Sequence, residues 1–414
     1  MKKVFQYRKW NTKISVFVNG DSLKYKEIYK EVYTMQYHEI DIKMFPAKSG
    51  DCFFIEFIKE DFRILIDGGY AETYHESLCP FLKELNNKSK HINLMIISHI
   101  DQDHINGIKV LLQENGNARQ PNIIFIDEVW FNGFRHSDIV REQKEIPFYE
   151  KNILQMLANQ NGLSDNKDGI YDISFTQGDS VAELLIKNNY NWNTSVKGRA
   201  ICIDGMEQIY FGNIIIQTLN PTQAVLNELA DHWIASLKSK CRQVVINDNH
   251  LFDDAFEGSY INEHDDWVTI EKEISYNNDI PEYDWKSLAE QKDEIMDTKL
   301  ANCSSISILI FYNNTTLLFP GDCAIDRFKD YLPNKIDIVK LPHHGSGKNV
   351  TKEFIQRTDV AYYLISTDGR HTGHPSPVIV ANILTMSQGN AQIIKNYDIP
   401  LLNGIGKLES DTDE

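Results

Sequence analysis

The stretch INLMIISHIDQDHINGI, residues 92–108, constrains the fold more than any other part of the chain. Its first half is a nearly unbroken apolar run of strand length, as expected for a strand buried on both faces of a parallel sheet. That run ends in His99, Asp101, Asp103 and His104. A protein interior admits such groups only when they are paired or face a cation. Alternate side chains of a strand share a face, so His99, Asp101 and Asp103 are expected to point the same way as the strand runs out, with His104 at the turn. The following INGIKVLLQENG reads as a helix packed on that strand and ended by Gly116.

The same pattern recurs along the chain. HEIDIKMFPAKSGDCFFIEFIKEDFRILIDGGY, from residue 38, reads as a meander of strands and turns that closes on Asp67 and two glycines. A helix-like HESLCPFLKELNNKSK leads from there to the central strand. Further on, NIIFIDEVWF and NIIIQTLNP read as strands, KNILQMLANQNG and GDSVAELLIKNN as helices. After residue 300, SSISILIFYNNTTLLFPGDCA is a hairpin-like pair ending in Gly321 and Asp322, and IDIVKLPHHGSG ends in His343 and His344. VAYYLISTDGRHTGHPSP then supplies His371 and His374 before a Pro-started helix, SPVIVANILTMSQG. The two halves look like two similar strand-rich layers.

These readings divide the chain into an N-terminal extension over 1–37, one large domain over 38–400 with an insertion at about 115–300, and an acidic tail over 401–414. The extension holds a β-like run, KISVFVNG, and a polar helical stretch, DSLKYKEIYKEVYTMQ. Residues 247–299 carry 16 Asp or Glu against 4 Lys, and so most of the net charge of −17. Part of this segment is expected to be a long exposed loop, serving as a lid, a partner surface or a solvated insertion. Such a balance excludes a surface that is basic all over, but not a local basic groove for nucleic acid. With no apolar run of signal-peptide or membrane-span length, the chain is expected to be cytoplasmic, with no membrane partner. Its six scattered cysteines, without a Cys-x-x-Cys pair, are expected to be reduced and buried.

One strand end with an Asp or His would mean little. Five of them, each beside Gly and all facing one edge of the sheets, describe a multi-metal site built on loops above a rigid scaffold. The order Asp, His-x-Asp-x-Asp-His, Gly-Asp, His-His-Gly-Ser resembles the metallo-β-lactamase superfamily, and within it the ComEC type, the domain of the competence DNA-uptake protein. SGDCFFI before Asp67, LANCSSISI with Asn302 and Ser305, LPHHGS and the closing GHP support that resemblance. It implies an α/β fold, the αββα sandwich of that superfamily carrying a long acidic insertion.

Carried over by motif, the resemblance makes His99 and Asp101 ligands of a first metal. It gives a second metal to Asp103, His104 and His344, with Asp322 bridging. Asp67 becomes the orienting aspartate and His343 a neighbour of the leaving group. The chain departs from the usual pattern in having Asp101 in place of His, and in showing no obvious third-motif histidine before Asp322, where Asn302 or Ser305 stands near the expected place. Exchanging imidazole for carboxylate favours harder cations, which brings in Mn²⁺ beside Zn²⁺.

Two such divalent ions activate water and clamp the oxygens of an in-line displacement, so phosphodiester hydrolysis fits best. Asp103 belongs to that machinery, while His343, His371 or His374 are placed to protonate the leaving oxygen or hold a phosphate. Lys340, Lys348 and Arg370 flank these loops as candidate phosphate grips, although such lysines are more often simply solvated. By resemblance the chain is expected to be a nuclease, with a protein partner encoded nearby and a place in antiphage defence. The rival readings are a small-molecule phosphodiesterase acting on a phosphocholine ester or a cyclic nucleotide, a carboxylic ester, thioester or lactam hydrolase, and a non-catalytic partner-binding sensor.

Overall fold

The computed structural model describes residues 32–159, 179–204, 208–241, 244–261, 283–370, 373–387 and 391–402. Among these described residues, thirteen strands form two sheets. The first sheet runs in the order β1 (Tyr33–Tyr37), β2 (Ile40–Met44), β3 (Phe53–Phe57), β4 (Phe62–Ile66), β5 (Ile92–Ile96) and β6 (Ile126–Trp130). Strands β1 to β4 are an antiparallel meander, and β5 and β6 then add in parallel. The second sheet holds β7 (Ile209–Phe211), β8 (Ile214–Asn220), β9 (Ser307–Tyr312), β10 (Thr315–Phe319), β11 (Lys335–Lys340), β12 (Asp359–Ile365) and β13 (Gln392–Lys395). It repeats the plan, antiparallel from β7 to β10 and parallel from β10 to β13.

The helices in chain order are α1 (Ala71–Thr73), α2 (Cys79–Asn87), α3 (Gln102–Asn115), α4 (Phe148–Asn159), α5 (Val181–Lys187), α6 (Gln223–Lys240), α7 (Leu251–Ile261), α8 (Trp285–Glu290), α9 (Leu300–Cys303), α10 (Lys352–Arg357) and α11 (Pro377–Met386). Period-two patterning sorts the strand residues between cores. Phe53, Ile55 and Phe57 of β3 join Ile216, Ile308, Leu317 and Ile338 in a core between the sheets. Phe54 and Leu65 point the other way, onto Leu82, Ile105, Ile108 and Phe256 of α2, α3 and α7. Leu318, Val339 and Tyr363 meet Phe354, Ile379 and Ile383 of α10 and α11 on the far side. Helices, sheet, sheet, helices: the expected αββα sandwich is the architecture found. All six cysteines are free and buried. Among the described residues, no helix is long and apolar enough to cross a membrane.

Several expectations need correction. The first sheet already begins at Tyr33, inside the stretch assigned to the 1–37 extension, because β1 pairs with β2 from Tyr33↔Met44 to Tyr37↔Ile40. The end of the polar stretch read as helical is therefore strand, and KISVFVNG lies outside the described residues. The span 115–300 is not one insertion, since β6, β7 and β8 within it are integral sheet strands. Part of the acidic segment is exposed loop as expected, irregular and exposed over 291–296, while another part is a packed helix. Phe252, Phe256 and Tyr260 of α7 are buried in the core around Trp233 and Phe134, where aromatic packing outweighs the surrounding charge. The tail from 403 onward lies outside the described residues.

Candidate metal centre

Strand β5 stops at Ile96, and α3 starts at Gln102. His99 and Asp101 therefore stand on the connecting turn, while Asp103 and His104 stand on the first turn of the helix. Strand alternation is not what brings these side chains together, contrary to the reading of the sequence. Asp101 holds the N-cap position with extended backbone but makes no capping bond. An aspartate there would ordinarily accept from a helix N–H; its carboxylate faces His99 and Lys299 instead.

Each buried histidine is aimed through its Nδ1. His104 Nδ1 lies 2.8 Å from Asp67 Oδ2. Ser98 Oγ donates its one proton to Asp67 Oδ2 at 2.7 Å, so His99 Nδ1, 2.9 Å from that hydroxyl oxygen, must be the donor there. His344 Nδ1 donates to the Ser366 carbonyl at 2.9 Å. That leaves the Nε2 atoms of His99, His104 and His344, all buried and without a hydrogen-bond partner. They converge on Asp322 Oδ2, at 3.9, 3.2 and 3.7 Å respectively. Asp103 completes the cluster, with Oδ2 3.3 Å from His344 Nε2 and Oδ1 3.8 Å from His104 Nε2. Asp101 Oδ2 lies 3.7 Å from His99 Nε2.

Orphaned imidazole nitrogens facing shared carboxylates are the donor set of a transition-metal site, with their Nδ1 contacts fixing tautomer and orientation. The residues fit divalent cations. His99, His104 and Asp322 form one possible ion-holding group and Asp103, His104 and His344 another. Charge points the same way: Asp51, Asp67, Asp101 and Asp322 are buried together beside the half-buried Asp103, with the ammonium groups of Lys340 and Lys299 as the lysine charges against them.

Burial opposes every charge in this cluster, and the ion partners overcome it. Lys340 and then His344 hold Asp51 down at about 2. His99 and Lys299 lower Asp101, while His104 and Lys340 hold Asp322 well below the carboxylate range. In turn Asp322, Asp103 and Asp67 raise His104 far above its ordinary value, and Asp322 with Asp51 pushes His344 up to about 9. An entering cation therefore displaces protons from these imidazoles.

Backbone geometry serves the same end. Asp67, His343 and His344 all adopt left-handed φ values of 56°, 46° and 57°, conformations that non-glycine residues hold only where the surroundings enforce them. Gly321, at φ 60°, needs its missing side chain: a Cβ would come 2.9 Å from Ser305 Cβ and 3.1 Å from Ser98 Cβ. This close approach lets the loop bearing Asp322 meet the loop bearing His99.

The sequence missed or misjudged part of the site. Asp51, within SGDCFFI, is buried against Lys340, with Oδ1 3.4 Å from His344 Nδ1. An acidic residue just before the apolar run Cys52–Ile55 was the available signal. Lys340 is not a solvated phosphate grip: it is fully buried, paired with Asp51 and 3.3 Å from Asp322 Oδ1. Asn302 donates to Asp297 Oδ2 at 2.7 Å, and Ser305 Oγ accepts from the Asp322 N–H at 3.1 Å. His343 is partly exposed at the mouth, its Nδ1 3.5 Å from Asp297 Oδ2 and its ring centroid 5.3 Å from that of His374. Burial, then His343 and His344, hold His374 down at about 3. His371 lies outside the described residues.

Residues 46–137 match the family model of the metallo-beta-lactamase superfamily. The match takes in Asp51, Asp67 and the whole His99 to His104 cluster and ends before Asp322. Among solved structures, the chain is similar to the metallo-beta-lactamase fold protein YhfI from Bacillus subtilis, at 10% identity and a TM-score of 0.39, over 86% of this chain and 97% of that one. No curated protein matches it.

Proposed function

We propose that this chain is a metal-dependent phosphodiester hydrolase, a nuclease acting on DNA or RNA, and that it works with two divalent ions, Mn²⁺ or Zn²⁺. The observation that carries the reading is the convergence of three unpartnered Nε2 atoms on Asp322 Oδ2. His99 and Asp101 would hold one ion, Asp103, His104 and His344 the other, with Asp322 shared. Bound ions would supply Lewis-acid charge at a phosphoryl oxygen and lower the pKa of the attacking water.

The chain's own groups do the rest. Asp67 orients His104, and Ser98 and Ser366 orient His99 and His344. His343 stands at the partly exposed mouth, where an imidazole can donate a proton to the leaving oxygen, and His374 packs beside it. The polymeric substrate is supported by the resemblance of the HHGS loop and the aspartate-rich motif to the ComEC type. The same resemblance supports a partner protein encoded nearby and a role in antiphage defence.

The test is cleavage of labelled single-stranded DNA, double-stranded DNA, RNA and bis-p-nitrophenyl phosphate with added Mn²⁺ or Zn²⁺, beside an Asp103→Ala control. Polymer cleavage that disappears in the variant supports the nuclease reading. Turnover of the small diester alone replaces it with a small-molecule phosphodiesterase. No turnover of any substrate under either metal counts against a hydrolase and for a binding protein.

A further inference from the structure

The two ends of the centre are not equivalent. At the His344 end, Asp103, His104, His344 and Asp322 offer two imidazoles and two carboxylates within mutual reach, a complete four-donor set. At the His99 end, the donors are His99, Asp101 and the shared Asp322. There a lysine from the acidic segment already sits on the carboxylate. Lys299 Nζ donates to Asp101 Oδ2 at 2.8 Å, the same oxygen that lies 3.7 Å from His99 Nε2. The main chain that carries this side chain is anchored as well, because the Lys299 backbone N–H donates to Asp297 Oδ1 at 2.9 Å. Asp297 is in turn fastened by Asn302 and Asn349, at 2.7 and 3.2 Å.

We infer that Lys299 is a built-in cation that competes with the ion at the His99 end, so that the centre holds one ion tightly and the second only weakly. This rests on the metal-centre reading above. A fixed ammonium on Asp101 does two things to an incoming dication. It repels it across a short distance with little water between, and it takes up charge on the carboxylate that the dication needs. At the His344 end the buried Lys340 bonds Asp51 and touches Asp322 through Oδ1, not through Oδ2, the oxygen that faces the imidazoles.

The experiment measures metal retained, not turnover. Full-length protein is stripped with chelator, reloaded with excess Zn²⁺, dialysed and analysed for metal per chain, with calorimetric titration alongside. Wild type, Lys299→Met, Lys299→Arg and His344→Ala are compared, each first checked for a cooperative thermal transition. The expected result is one retained ion in wild type and in Lys299→Arg, and two in Lys299→Met, whose weaker dissociation constant falls by about tenfold or more. Lys299→Gln stands in should the methionine variant not fold. Two equally tight ions in wild type, or one ion in both neutral variants, overturns the role of Lys299 and leaves the metal centre standing. No retained ion in wild type or in either neutral variant overturns the centre itself, and this inference with it.

Discussion

His104 Nδ1 lies 2.8 Å from Asp67 Oδ2, and this contact decides which imidazole nitrogen faces the centre. The carboxylate accepts the Nδ1 proton, which leaves the Nε2 lone pair for a cation. Asp67→Asn presents an amide donor instead and favours the opposite tautomer, with the proton on Nε2. The variant should stay folded and lose about 10- to 100-fold in metal affinity. Calorimetric titration with Zn²⁺ measures it; affinity equal to wild type would remove the orienting role of Asp67.

Lys340 is buried between Asp51 and Asp322. Lys340→Met keeps much of the side-chain volume but leaves two buried carboxylates without their cation. Breaking such a pair from one side costs about 3–5 kcal/mol. We expect that loss in urea denaturation of the metal-free variant, and a smaller one after loading, when divalent charge stands against Asp322. Equal losses with and without metal would show that the ammonium and the bound ions do not share the work of neutralising the cluster.

The first two turns of α3 are braced against the Asp67 loop at very short range. Gly107 donates its N–H to the Gly69 carbonyl at 2.8 Å, and Gly68 donates to the His104 carbonyl at 2.8 Å. A Cβ on Gly107 would come 1.9 Å from the Gly68 oxygen. Gly107→Ala therefore forces the helix away from the Asp67 loop, at a cost of about 1–3 kcal/mol for overpacking. Because Asp67 and His104 separate with it, metal affinity should fall in parallel. A variant that loses stability but binds metal normally would show that the brace serves folding alone.

Away from the centre, Glu257 of α7 is wholly buried and accepts the Val181 and Ala182 N–H groups at 2.7 and 2.9 Å. Burial, against the pull of those bonds and of Lys109, pushes it up to about 8, from an ordinary 4.5. The folded state thus holds a proton that the unfolded chain releases. Stability from this group is full below pH 4.5 and is lost as pH rises through 8. Melting temperatures over that range should decline in wild type and decline less in Glu257→Gln. Asp254, raised to about 6 by burial, adds to the same slope in both proteins. Parallel profiles would show that Glu257 is ionised throughout.

The sequence made the strand and helix around His99 to His104 legible because apolar periodicity and a helix stop at Gly116 are local signals. Asp67, Asp322 and His344 were legible for the same reason, each closing an apolar run beside a glycine. Asp51, Lys340 and Lys299 were not. Whether a charged side chain is buried depends on its partner, and Lys299 meets Asp101 across 198 positions of sequence. The divergence of the adjacent His343 and His344 follows from left-handed backbone at both, which no residue pattern in HHGS announces.

The centre lies on the seam between the two sheets. The first sheet's loops bring Asp67, His99, Asp101, Asp103 and His104, and the second sheet's loops bring Asp322, His343 and His344. Neither half holds the whole cluster. A chain that has emerged only as far as β9 has three-quarters of its length and lacks Asp322, so the full cluster cannot assemble until the closing strands dock. Completion of the fold is thereby what gathers the three orphaned imidazoles around one carboxylate, and a copy truncated before the closing strands lacks that carboxylate altogether.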